Sequence, residues 1–175
     1  LRDGAFAHDL VREAALRLVP VAIARELHAQ IAGALDPARV PPVRMAVHHE
    51  QAGQWALAAQ RYREAADAAL AAGRRADQAR LLFAAAQAFA RAGRRRERVD
   101  ALADRVGALV QAGGGDELRE ALDELAPLAA EDGRAWFHAI AAAEVQIVFG
   151  EFAAISAAMP AAIAAAQAAR DDEIA

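Results

Sequence analysis

Glycines divide this chain into helix-sized lengths. They fall at Gly53, Gly73, Gly93, Gly113 to Gly115, Gly133 and Gly150, and the stretches between them carry apolar residues at helical spacing. A glycine just past a helix supplies the left-handed conformation that closes it. Gly53 to Gly93 is 40 residues, and so is Gly93 to Gly133, close to the length of a paired-helix repeat. The clearest unit runs from Gly53 to Ala65. An aromatic, Trp55, follows the glycine, then come a small residue at Ala58, an aromatic at Tyr62 and a small residue at Ala65. Small residues let helices approach closely and aromatics fill the gaps between them, as stacked helix pairs require.

The spacing predicts helices from about Asp9 to Leu18 and from Pro20 to Leu35, the second with an apolar stripe at Ile23, Leu27, Ile31 and Leu35. Three prolines between Asp36 and Pro42 predict a linker or tight corner. Further helices are expected near 43–52, 55–72, 77–92, 95–112, 116–130, 134–149 and 152–170, with Pro160 kinking or restarting the last. Core stripes follow: Leu82, Ala86 and Phe89; Val99, Leu102, Val106 and Leu109; Leu118, Leu122 and Leu125; Trp136, Ile140, Ala143 and Ile147. The joint at Gly150, Glu151 and Phe152 echoes Gly53, Gln54 and Trp55, with Ile155 in place of the small residue. The phase of helix pairing between 95 and 130 stays open, because Arg98 stands where Ala58 stands in the clear repeat.

Composition agrees with an all-helical chain. Alanine fills 54 of 175 positions, and strand-favouring residues are sparse. Net charge is −4 and pI about 5.7, so no basic field invites nucleic acid or an anionic membrane. No apolar run approaches the roughly 20 residues that span a bilayer, and residues 1–20 carry no signal peptide. Zero cysteines exclude disulfides and thiolate metal sites and fit a reducing compartment, so cytoplasm is the expected location. Lys, Thr and Asn are also absent, every basic residue is Arg, and Ser156 and Tyr62 are single, a bias that GC-rich bacterial genomes impose. Nucleophiles for covalent catalysis are nearly missing, and the Lys of a phosphate-binding loop is missing altogether.

One stretch resembles a known junction. Phe6 to Ala14 (Phe-Ala-His-Asp-Leu-Val-Arg-Glu-Ala) and Arg25 to Ala32 (Arg-Glu-Leu-His-Ala-Gln-Ile-Ala) resemble the end of the winged-helix domain and the following linker helix in the signal-transduction ATPases with numerous domains. These include the large ATP-binding LuxR-type bacterial regulators. His48 to Gly53 resembles the start of their tetratricopeptide-like repeats. The resemblance is strong over residues 6–70 and generic beyond. It implies that residues 1–38 are the end of a winged-helix domain, with Phe6 to His8 its last strand, plus a helical linker. Residues 39–175 are then a tetratricopeptide-like α-α superhelix of stacked helix hairpins, truncated at both ends. ATP would belong to the parent's nucleotide-binding domain. No nucleotide site or helix-turn-helix DNA reader lies in this stretch.

Several local groups carry residue types with potential for chemistry. His48, His49 and Glu50 are adjacent, whereas helical metal ligands sit three or four apart; the expectation is one His packed on the next helix and one facing solvent. His8 and His28 suggest a pH-sensitive pair, against a plain hydrogen-bonded junction with Arg12 or Glu13. Arg94, Arg95, Arg96 and Arg98, interrupted by Glu97, form the best surface for an acidic partner, although a solvated turn is the simpler reading. Asp116, Glu117, Glu120, Asp123 and Glu124 read as a solvated acidic face. Trp55, Trp136 and Phe137 read as core fillers rather than a ligand groove.

Catalytic, cofactor and metal residues are expected to be none. The expected function is a non-catalytic sensor and protein-interaction arm of a multidomain bacterial transcriptional regulator. Its partners would be the parent's other domains and a protein or small-molecule inducer, with no direct nucleic-acid or membrane contact. A free-standing peptide-binding scaffold is the alternative, and a hydrolase working through Ser156 or a carboxylate stands third.

Overall fold

The computed structural model describes residues 18–174. The expected strand at Phe6 to His8, the first expected helix short of Leu18, and His8 itself lie outside the described residues. Among the described residues the chain is all α: α1 (Val21–Ala34), α2 (Pro42–Gln51), α3 (Trp55–Ala71), α4 (Arg75–Arg91), α5 (Arg95–Ala112), α6 (Gly115–Glu131), α7 (Ala135–Phe149) and α8 (Phe152–Ile174). The three prolines form the corner between α1 and α2, and Pro42 opens α2, where its missing N–H would have had no helical partner.

One joint recurs from α2 to α8. At Gly53 φ is +76°, a conformation that side chains with a Cβ resist. It lets Gln54 N–H donate to His49 C=O at 2.8 Å and Gly53 N–H to Glu50 C=O at 2.9 Å, which satisfies carbonyls at the helix end. The same long-reach bond closes α3 through α7, from Arg74 to Ala69, Arg94 to Phe89, Gly114 to Leu109, Arg134 to Ala129 and Glu151 to Gln146. No side chain caps the following helices. Instead Arg74 pairs with Asp77 at 3.4 Å and Arg94 with Glu97 at 3.1 Å, which fixes an acid in the first turn, where the helix dipole favours it.

Each helix packs on the next in sequence, and α5 also meets α7. The arrangement is a superhelix of stacked hairpins with α3, α5 and α7 in one layer. The Arg63–Asp104 ion pair at 2.7 Å ties α3 to α5 within that layer. From α2 to α4 the core is mostly alanine, including Ala46, Ala58, Ala66, Ala79 and Ala86, which brings helix axes close. Between α5 and α6 it changes to Val99, Leu102, Val106, Leu118 and Leu125, the largest fully buried side chains.

Three expectations need correction. The stripe of α1 is not core: Ile23 is 53%, Leu27 48% and Ile31 41% exposed. The helix turns Ala24, His28 and Ala32 inward instead, because α2 lies beside it and only small or polar side chains fit there. On α7, Ala143 is buried as expected, but Ile147 is exposed while Ala141 and Val145 are buried, since α5, α6 and α8 cover other faces of the helix. Pro160 does not restart α8, which runs through it unbroken, as α6 runs through Pro127. Both rings are exposed, so each removes one ladder bond without striking a neighbouring helix.

A candidate interaction groove on the α5–α7 layer

The residues singled out in sequence lie in separate places. His28 pairs with His48, Nδ1 to Nδ1 at 2.9 Å, with ring centroids 5.2 Å apart, while His8 lies outside the described residues. One nitrogen must carry the hydrogen and the other accept it, so at least one ring is neutral. Burial, then the charges of His28, Arg44 and His49, push His48 below its ordinary range. His48 therefore faces α1 and stays partly exposed. His49 is buried with Nδ1 on Gln54 Oε1 at 2.7 Å. Glu50 accepts the Tyr62 hydroxyl at 2.6 Å, and burial followed by that bond raises the phenol far above its usual value. All three side chains are thus committed to the α1–α3 packing. Among the described residues no group of three or more potential ligands gathers around a metal position.

The arginine run is divided among internal partners. Arg95 meets Glu131 at 3.2 Å and Arg98 meets Glu124 at 3.4 Å. Arg105 lies between Glu117 at 3.1 Å and Glu124 at 3.6 Å, its guanidinium 4.5 Å from the Phe83 ring. Glu117, Glu124 and Glu131 recur every seven residues on α6 and face α5, so the acidic face is a seam on one side and solvated at Asp116, Glu120 and Asp123 on the other. Arg134 closes the α6–α7 joint, donating to Asp132 at 2.5 Å, Asp100 at 2.6 Å and the Arg96 carbonyl at 2.9 Å. Burial opposes its charge, and the two carboxylates outweigh that and raise its pKa.

Trp55, Trp136 and Phe137 are half-buried, and Phe137 packs against the core as expected. Trp55 lies under the Arg91 guanidinium at 4.5 Å. Trp136 meets Phe137 edge-on at 5.3 Å, and its Nε1 is buried without a partner. Ser156 is exposed on α8.

A cavity of about 500 Å³ opens between α3, α4, α5 and α7, within the roughly 300–1,000 Å³ of small-ligand sites. Its two long walls are helical stripes: Asp104, Gly107, Ala108 and Gln111 on α5 face Phe137, Ile140, Ala141 and Glu144 on α7. Both follow the i, i+3, i+4, i+7 spacing that puts side chains on one face. Asp67 on α3 and Arg75, Gln78 and Leu82 on α4 close one end. A Cβ added at Gly107 would lie 3.8 Å from Glu144 Oε2, so the missing side chain leaves α5 backbone bare on the groove floor.

Sequence reading missed this groove, apart from weighing Phe137 as a lining residue. Its polar groups come from four segments, and none makes a local motif. Gly107 was the one available signal: a glycine inside a strongly helical stretch lowers helix stability by about 0.5–1 kcal/mol relative to Ala, which marks a surface where a side chain is absent.

Comparison of the chain with family models, with curated proteins and with solved structures finds no match. No helix among the described residues is long and apolar enough to cross a membrane.

Proposed function

We propose that this chain is the non-catalytic sensor and interaction arm of a multidomain bacterial transcriptional regulator in the cytoplasm, and that the α5–α7 groove receives its partner or inducer. The groove carries the interaction part: stacked hairpins leave an open cleft lined by both polar and apolar side chains. That is what a binding surface offers and what a packed core does not. The regulator part rests on the resemblance of residues 6–53 to the junction between winged helix and repeats. In this reading the arm packs on the parent's ATP-binding core and holds it inactive. A ligand that binds the released arm better than the packed one shifts the population toward the active state.

The parent reading frame tests this. A phosphate-binding loop upstream and a helix-turn-helix downstream are the expected finding. Flanks holding only more helical repeats would overturn the regulator and leave a free-standing peptide-binding scaffold.

A further inference from the structure

The chemistry of the groove selects among occupants. Three carboxylates, from Asp67, Asp104 and Glu144, line it against the single guanidinium of Arg75. Asp104 is paired with Arg63 at 2.7 Å, and Arg75 donates to Gln78 Oε1 at 3.1 Å. Asp67 and Glu144 have no ion-pair partner among the described residues. The second observation is Gln78 itself. Its side chain borders the cavity and the residue is only 8% exposed, and its Nε2 donates to no protein atom among the described residues. That nitrogen is not sealed from water, so it can donate to an acceptor that enters the groove in water's place.

We propose that the groove seats an extended segment of a partner protein carrying an Arg or Lys side chain. This rests on the groove being the partner-binding surface and adds the chemistry of what binds there. A backbone carbonyl of the segment accepts from Gln78 Nε2. The aliphatic stem of the basic residue lies over Ile140 and the bare backbone at Gly107, and its cationic head reaches Glu144, with Asp67 as the second acid. Arg and Lys combine an apolar stem with a charged tip in this way. The dimensions agree: the seven helical steps of α5 from Asp104 to Gln111 rise about 10 Å, the length of about three residues of extended chain.

The test is amide NMR on the isotope-labelled 175-residue chain, titrated with a capped Ala-Leu-Arg-Leu-Ala peptide, the same peptide with Glu for Arg, and spermidine. The Arg peptide is expected to move the Gln78 side-chain amide and the Gly107 backbone amide, and the Glu peptide to leave both in place. Glu144→Gln and Asp67→Asn, both exposed positions, are each expected to weaken the Arg peptide about fivefold, the scale of one partly exposed ion pair. Equal shifts from the Glu peptide, or full affinity in both variants, would remove the basic segment and leave the groove as a site of other chemistry. Shifts from spermidine as large as those from the Arg peptide would overturn the peptide in favour of a free amine. Silence from every probe at these amides would overturn the groove itself.

Discussion

At Gly93 φ is +71° and nothing lies within 4 Å of the place a Cβ would take. Gly93→Ala therefore pays for backbone strain alone, and the expected loss in a urea melt is about 1 kcal/mol. Gly107 is the opposite case. Its backbone is helical and its nearest neighbour, Glu144 Oε2, stands at an ordinary 3.8 Å, so Gly107→Ala should gain about 0.5–1 kcal/mol. A loss there would mean that α5 and α7 leave no room for a methyl group. His48 sets a pH dependence. Burial and its cationic neighbours lower its pKa from 6.5, so the folded chain binds that proton less well than the unfolded chain. The stabilisation is complete above pH 6.5 and is lost as pH falls through the lower native value. His138 acts in the same direction through burial, partly offset by Asp123. Tm should fall between about pH 7.5 and about pH 5.5, with a shallower fall in His48→Gln. An equal fall in that variant would take His48 out of the account.

Between elements, the α5–α6 seam decides more than any single cap. Arg105 has a side chain only 9% exposed and shares Glu124 with Arg98, while its Nε and that of Arg98 are buried without partners. Glu124→Ala removes the acid common to both arginines and strands charge at the seam, an expected loss of about 1–3 kcal/mol. Arg105→Leu removes the buried charge itself, places an apolar side chain on Phe83 and leaves Glu117 in water, so it should be near neutral. Chemical denaturation of the two variants checks the order, and the reverse order would refute the seam as described. This difference in kind also marks what was legible in the sequence. From α1 to α7 helix boundaries were readable to within two residues, because glycine joints and apolar spacing are local signals, whereas α8 runs four residues past its expected end, where no such joint marks it. The stripes Val99–Leu102–Val106–Leu109 and Leu82–Ala86–Phe89 were read correctly for the same reason. The Arg–Glu seam and the groove were not, because both exist only once α5 lies between its neighbours. The stripe of α1 misled for a related reason: spacing shows which side chains share a face, not whether another helix covers that face.

In the whole molecule, contact is almost entirely between neighbours in sequence, with α5 and α7 the addition. Such a stack behaves as a line of coupled units, and local stability follows how many neighbours each unit has. α5 has α4, α6 and α7 beside it and holds Val99, Leu102 and Val106, which are fully buried. α1 rests on α2 with its large apolar residues exposed, and beyond α7 large apolar residues such as Ile163 on α8 are exposed as well. Amide exchange should therefore be slowest in α5 and the flanking α4, faster in α2 and α7, and fastest in α1 and α8. Leu102→Ala sharpens the test, since emptying a fully buried leucine position costs about 2–5 kcal/mol. In a line of units that loss should speed exchange most in α4 to α6 and leave α1 close to its original rate. Equal acceleration in all helices would show that the chain unfolds as one body, and the nearest-neighbour description would fall with it.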